Sequence, residues 1–161
     1  MKKPLTICLL LATMFTVNAQ ESLIQLKSDV IDQLKKGEKV YTPNGNYNRI
    51  YDFKIISDCV LQVDQFAWPI KPGGKEYGDG AEFIRSTIDF SNVSQVESNK
   101  TNFGYKCITL YADNKPLYKQ YYDNDTHSYE DATSENAISL ATDNEELLSL
   151  FEQWSKMCGG N

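Results

Sequence analysis

Between Tyr51 and Ala141 the chain is a succession of short segments in which apolar and polar residues alternate, joined mostly by connections of a few residues. A period of two marks strands with one buried face. A parallel crossover needs about a dozen residues and usually a helix, so these short connections dictate antiparallel pairing. Tyr51, Phe53 and Ile55 alternate with Asp52 and Lys54, and after Ser57-Asp58 the set Cys59, Leu61 and Val63 alternates with Gln62 and Asp64. We read these two segments as a hairpin. Strand character returns in Phe83 to Val96, broken near Ser91-Asn92, and again in Tyr105 to Tyr111, Leu117 to Tyr122 and Ala137 to Ala141. Asp113-Asn114-Lys115-Pro116 has turn chemistry, which predicts a second hairpin over residues 105–122.

Helical periodicity brackets this region. From Ser22 to Lys36 the apolar positions Leu23, Leu26, Val30, Ile31 and Leu34 recur at three- and four-residue steps, with Ser22 suited to cap the start and Gly37 the end. Near the C-terminus Leu147, Leu150, Phe151, Trp154 and Met157 form one apolar stripe that stops at Gly159-Gly160. Thr142 with Glu145, or Asp143 with Glu146, offers a capping box. The order helix, six or seven short strands, helix predicts an α+β fold: a bent antiparallel sheet with an N-terminal helix and a C-terminal amphipathic helix. Tyr41 to Asn48, with Pro43 and Asn44-Gly45, reads as a turn region. The stretch 67–80 carries too many prolines and glycines for regular structure and reads as a long loop.

The first residues point to export. Lys2 and Lys3 precede an apolar run from Leu5 to Val17, and Val17-Asn18-Ala19 resembles a signal-peptidase box. That run is about 13 residues, where a spanning helix needs about 20. Cys8 does not follow a lipoprotein cleavage box. Residues 1–19 are therefore read as a signal peptide and 20–161 as a single globular domain, periplasmic or extracellular. No later segment is apolar enough to span a bilayer.

Loss of Lys2 and Lys3 lowers the formal charge from −6 to −8, with 14 basic against 22 acidic side chains left. Nucleic acid and anionic membrane surfaces call for a basic footprint, so neither is an expected partner. Cys59, Cys107 and Cys158 remain after processing, and an oxidising compartment favours a disulfide with one thiol left over. Three pairings are open. Isolated cysteines and a single histidine, His127, do not make a structural metal site, and no cofactor motif is present.

Tyr51-Asp52-Phe53-Lys54-Ile55-Ile56-Ser57-Asp58-Cys59-Val60-Leu61, Thr87-Ile88-Asp89-Phe90-Ser91-Asn92-Val93 and the ending Glu145-Glu146-Leu147 through Trp154-Ser155-Lys156-Met157-Cys158-Gly159-Gly160 together resemble a group of small exported bacterial proteins of unassigned function. The likeness covers roughly residues 50–160. It implies a pleckstrin-homology-like architecture, from which this chain departs by its N-terminal helix and the loop 67–80. Its motifs include Cys59 and Cys158, and so imply that these two pair. The group carries no catalytic assignment to transfer.

No Ser or Cys stands in a nucleophile context such as GxSxG, and His127 lies in a polar turn. The stretch Asp123 to Asp131 begins like a calcium loop. Ser128 stands where that loop needs glycine and Ser134 where it needs a bidentate glutamate, so a solvated hairpin tip is expected. Tyrosines crowd the second half, and amphipathic rings suit recognition of peptides or sugars. Trp68, Tyr118, Tyr121 and Tyr122 are the candidate ligand contacts. The reading that follows is a non-enzymatic binding module for an unknown protein or small ligand, of unknown oligomeric state. The alternatives are a small hydrolase working through carboxylates, or an inhibitor or immunity protein that blocks a basic partner.

Overall fold

The computed structural model describes residues 20, 22–37, 39–41, 47–67, 70–71, 75–76, 82–101, 104–113, 115–123 and 126–160. The signal peptide predicted over 1–19 lies outside them, as does Trp68. Helix α1 (22–34) ends at Gly37, whose φ of 57° is the left-handed conformation that glycine adopts without strain. Its Leu26, Val30 and Leu34 are buried, as the three-four spacing requires.

Among the described residues twelve strands follow: β1 (Val40–Tyr41), β2 (Tyr47–Ile55), β3 (Val60–Ala67), β4 (Ile70–Lys71), β5 (Lys75–Glu76), β6 (Glu82–Asp89), β7 (Val93–Lys100), β8 (Lys106–Ala112), β9 (Leu117–Asp123), β10 (Ser128–Tyr129), β11 (Thr133–Glu135) and β12 (Ala137–Leu140). Every ladder is antiparallel. The larger sheet runs β1-β2-β3-β6-β9-β10, with β11 also on β9, and the smaller runs β12-β8-β7. The expected β2–β3 hairpin is present, Phe53 facing Val63 and Ile55 facing Leu61. Residues 70–71 and 75–76 correct the expectation of an irregular loop, because β4 and β5 pair with each other there.

The predicted hairpin over 105–122 does not form. Strand β8 pairs with β7 and β12, whereas β9 pairs with β6, β10 and β11. The Pro116 turn carries the chain from one sheet to the other. Two further bends do the same: β6 and β7 are one run broken at 90–92, and β11 and β12 are separated by Asn136 alone. Strands that switch sheets make the corners of a folded-over sheet structure. Phe90 and Val93, at the first corner, are buried in the shared core with Leu61, Ile88, Leu110, Leu117, Ile138 and Leu140.

Helix α2 (Glu145–Met157) buries Leu147, Leu150, Phe151 and Trp154 against that core, and Met157, predicted for the stripe, is exposed. Its N-cap is Asn144, which accepts from the N–H groups of Glu146 and Leu147, in place of the Thr142 or Asp143 box. At the other end Gly160 N–H donates to Ser155 O at 2.8 Å and Gly159 N–H to Lys156 O at 3.3 Å, a Schellman closure with Gly159 at φ 83°. A Cβ on Gly160 would run into Ser155 Oγ and the carbonyls of Val93 and Phe90, so only glycine lets this end sit on the β6–β7 corner. The Trp154 indole stacks on Phe90 at 4.4 Å and donates to Asp58 O at 2.8 Å. Ser155 Oγ donates to Val93 O at 2.7 Å, and Cys158 is bonded to Cys59. The helix is thus tied to the β2–β3 turn and to the corner at once.

Candidate functional site

The outward face of the larger sheet carries the most organised polar and aromatic group among the described residues. Its geometry starts from a bulge in β2. Ile50 faces Gln65 and Asp52 faces Asp64, so Tyr51 is an extra residue without a partner in register. The bulge reverses the pleat there: Ile50 is buried inward and Asp52 points outward. It also releases Tyr51 toward the middle of the sheet, where its ring meets the edge of Phe83 at 5.6 Å and its hydroxyl lies 3.2 Å from that of Tyr129.

Phe66 meets Phe83 at 5.6 Å, Phe83 meets Tyr122 at 6.1 Å and Tyr122 meets Tyr129 at 5.3 Å, all edge to face. Aromatic quadrupoles favour this arrangement. Below the rings Asp64 and Arg85 are cross-strand neighbours. Arg85 donates through Nε to Asp64 Oδ1 at 2.7 Å and through Nη2 to Oδ2 at 2.6 Å, a bidentate pair, while its guanidinium lies 4.0 Å from the Tyr129 ring centre. Gln120, next in the row, donates to Glu130 O at 3.0 Å and holds the segment after β10 in place.

Electrostatics follow from this packing. Burial pushes the Tyr51 hydroxyl well above the usual phenol range, helped by its hydrogen bond to Tyr129 and the nearby Asp64 charge, with Arg85 opposing. Hydrogen bonding to Asp64 outweighs burial at Arg85 and holds the guanidinium charged. The group therefore presents the neutral Tyr51 phenol beside a neutralised ion pair. Such a surface stacks and hydrogen-bonds.

The predicted contact residues separate. Tyr122 is a member of the cluster. Tyr118 lies four residues along β9 on the same face, beyond the Arg85 row, and is 43% exposed. Tyr121 is on the opposite face, paired with buried Ile84, and is half-buried. Tyr51, Phe66, Phe83 and the Asp64–Arg85 pair were not singled out by sequence. The signal available was the opposite charge in two outward-alternating strands, Gln62-Asp64-Phe66 and Phe83-Arg85-Thr87, which line up only once their register is known.

The remaining chemistry is elsewhere. Cys107 is the one described free thiol, buried in β8 beside Asn99 O and Thr109 Oγ1, in a different sheet from the β9–β10 hairpin that carries the exposed His127. His127 occupies the tip of the β9–β10 hairpin with φ 53°, and Thr126 Oγ1 donates to the Asp123 carboxylate at 2.8 Å. No cluster of metal-ligating side chains occurs among the described residues. None of their helices is long and apolar enough to cross a membrane. Fold and site define an α+β protein, two antiparallel sheets closed by a terminal helix, with a braced aromatic face. No family model, curated protein or solved structure matches the chain.

Proposed function

We propose that this chain is an exported, non-enzymatic binding module whose ligand docks on the aromatic face around Arg85. The observation that carries this reading is Tyr51, 41% exposed, packed among Phe83 and Tyr129 over the Asp64–Arg85 pair, with exposed Tyr118 farther along the same face. Preorganised aromatic side chains lose little entropy on binding, which is why they dominate recognition surfaces. Asp52 and Asp64 face each other across β2 and β3, the nearest approach to the paired carboxylates of a hydrolase. Arg85 engages both oxygens of Asp64, and Asp52 accepts from Phe53 N–H at 2.8 Å, so this pair is occupied with structure. The Cys59–Cys158 bond and the charge pattern of residues 1–19 support export. The two sheets joined by bending strands, with α2 across them, fit a pleckstrin-homology-like architecture.

The test is a paired capture experiment on the envelope and secreted fractions of the source organism. Immobilised wild type and Tyr51→Ala/Tyr122→Ala protein are compared by mass spectrometry. A partner held by the wild type and lost by the variant is expected. Equal retention by both would move binding away from this face.

A further inference from the structure

Sheet edges are sites of association, and bulges or short strands blunt them; the outer side of β2 beyond Asn48 is interrupted by the bulge at Tyr51, and β11 is three residues long. Strand β1 is two residues long, and β10 likewise. The free side of β12 is capped by buried Gln65, which donates to Ser139 O at 3.0 Å and accepts from Ala141 N–H at 3.1 Å. Strand β7 ends the smaller sheet, is eight residues long and contains no proline. Only its first carbonyl, Val93 O, is covered, by Ser155.

The direction of its peptide groups follows from the ladder. Thr101 N–H donates to Tyr105 O at 3.0 Å, so Asn99 with Cys107, Glu97 with Thr109 and Gln95 with Tyr111 are the hydrogen-bonded pairs. The bond from Ala112 N–H to Asn136 O fixes the same parity on the β12 side of β8. Val96, Ser98 and Lys100 therefore turn their N–H and C=O groups to the open edge. Along it runs a cleft of about 250 Å³ between Ser94, Gln95 and Val96 of β7 and Glu152, Ser155 and Lys156 of α2.

We propose that a second copy of this chain pairs with that edge, β7 against β7 about a twofold axis at Ser98. A twofold axis at Val96 pairs residues 93–99 of the two strands, one at Glu97 pairs 94–100 and one at Ser98 pairs 96–100. An axis at Val96 sets Lys100 opposite Asn92, past the end of the strand and away from the cleft. An axis at Glu97 sets Glu97 against its own copy, a like-charge pair that is disfavoured. An axis at Ser98 sets small Ser98 against itself, Glu97 against Asn99 and Lys100 against Val96. Gly160 lies at the Phe90 and Val93 carbonyls and Ser155 at Val93, so the C-terminal end of α2 sits at the start of β7. Glu152, one turn back from Ser155, lines the same cleft as Val96. The Lys100 of the second copy, opposite Val96 and on its face, enters the cleft at the Glu152 carboxylate. Charge complementarity thus selects this register and this occupant. The interface is separate from the aromatic face.

Sedimentation equilibrium of the purified, oxidised protein from micromolar to millimolar concentration tests the pairing. Wild type is expected to dimerise reversibly. Lys100→Glu should weaken the dimer by about tenfold or more, and adding Glu152→Lys to it should restore association by reversing the pair. Ser98→Pro removes an outward N–H that the β8 ladder does not use, so the protein should keep its circular dichroism and become monomeric. A wild type that stays monomeric throughout overturns the proposal, as does a folded Ser98→Pro variant that still dimerises. Failure of the double charge swap to restore the dimer overturns it too.

Discussion

Replacing Cys59 and Cys158 together by serine removes the one cross-link of the described structure and exposes how the terminal helix is held. The two residues are 99 apart in sequence, and closing a loop of that order lowers the entropy of the unfolded chain by the equivalent of about 4.7 kcal/mol at 25 °C. The native state keeps its other ties: the Trp154 indole to Asp58 O at 2.8 Å, Ser155 Oγ to Val93 O at 2.7 Å and the Phe90–Trp154 stack. The variant should therefore fold and lose about 3–5 kcal/mol, which for a domain of this size is a fall of about 10–15 °C in melting temperature. Urea titration without reductant, followed by tryptophan fluorescence, measures both stability and slope. The slope should rise, because the unfolded chain without its cross-link exposes more surface. A loss below about 1 kcal/mol with an unchanged slope would refute the unfolded-state argument.

Two further predictions concern the aromatic face. Arg85→Ala leaves buried Asp64 without its bidentate partner and should cost about 3 kcal/mol, the low end for a buried pair because Arg85 is partly exposed; the Asp64→Ala/Arg85→Ala double variant, read by the same titration, should recover part of the loss. The Tyr51 hydroxyl ionises at higher pH in the folded protein than the value of about 10 in the unfolded chain, so its contribution is complete below pH about 10 and is lost as pH rises through the folded value. Stability measured against pH should fall on the alkaline side, and Tyr51→Phe should make that fall shallower, leaving the share of Tyr105, whose hydroxyl burial also raises.

The aromatic site was only partly legible in the chain. Tyr122 and Tyr118 stood out because β9 is dense in tyrosine, yet their neighbours come from β2, β3, β6 and β10. Tyr51 and Tyr129 are 78 positions apart, and nothing local brings them together. The β2 bulge was equally silent, since an alternating pattern gives no sign of the single residue that breaks register. The Cys59–Cys158 bond agrees with the pairing that the resemblance implied, whereas cysteine spacing left three pairings open.

By itself the sequence determined whatever depends on neighbours within a few residues. Three-four spacing and the Gly159-Gly160 stop defined α2, period-two alternation defined most of the longer strands, and short connections made the β2–β3, β7–β8 and β9–β10 ladders antiparallel. The choice of partner strand was decided only by tertiary structure. Leu117 follows Ala112 after a short turn, which locally favours a hairpin, but β9 buries Leu117 in the core by joining β6. The bends at 90–92 and Asn136 likewise answer to the packing of Phe90 under Trp154 and of Ile138 in the core. Alternation tells which side of a strand is buried and carries no information about the strand beside it, so sheet membership, the aromatic face and the open edge of β7 all waited on the fold.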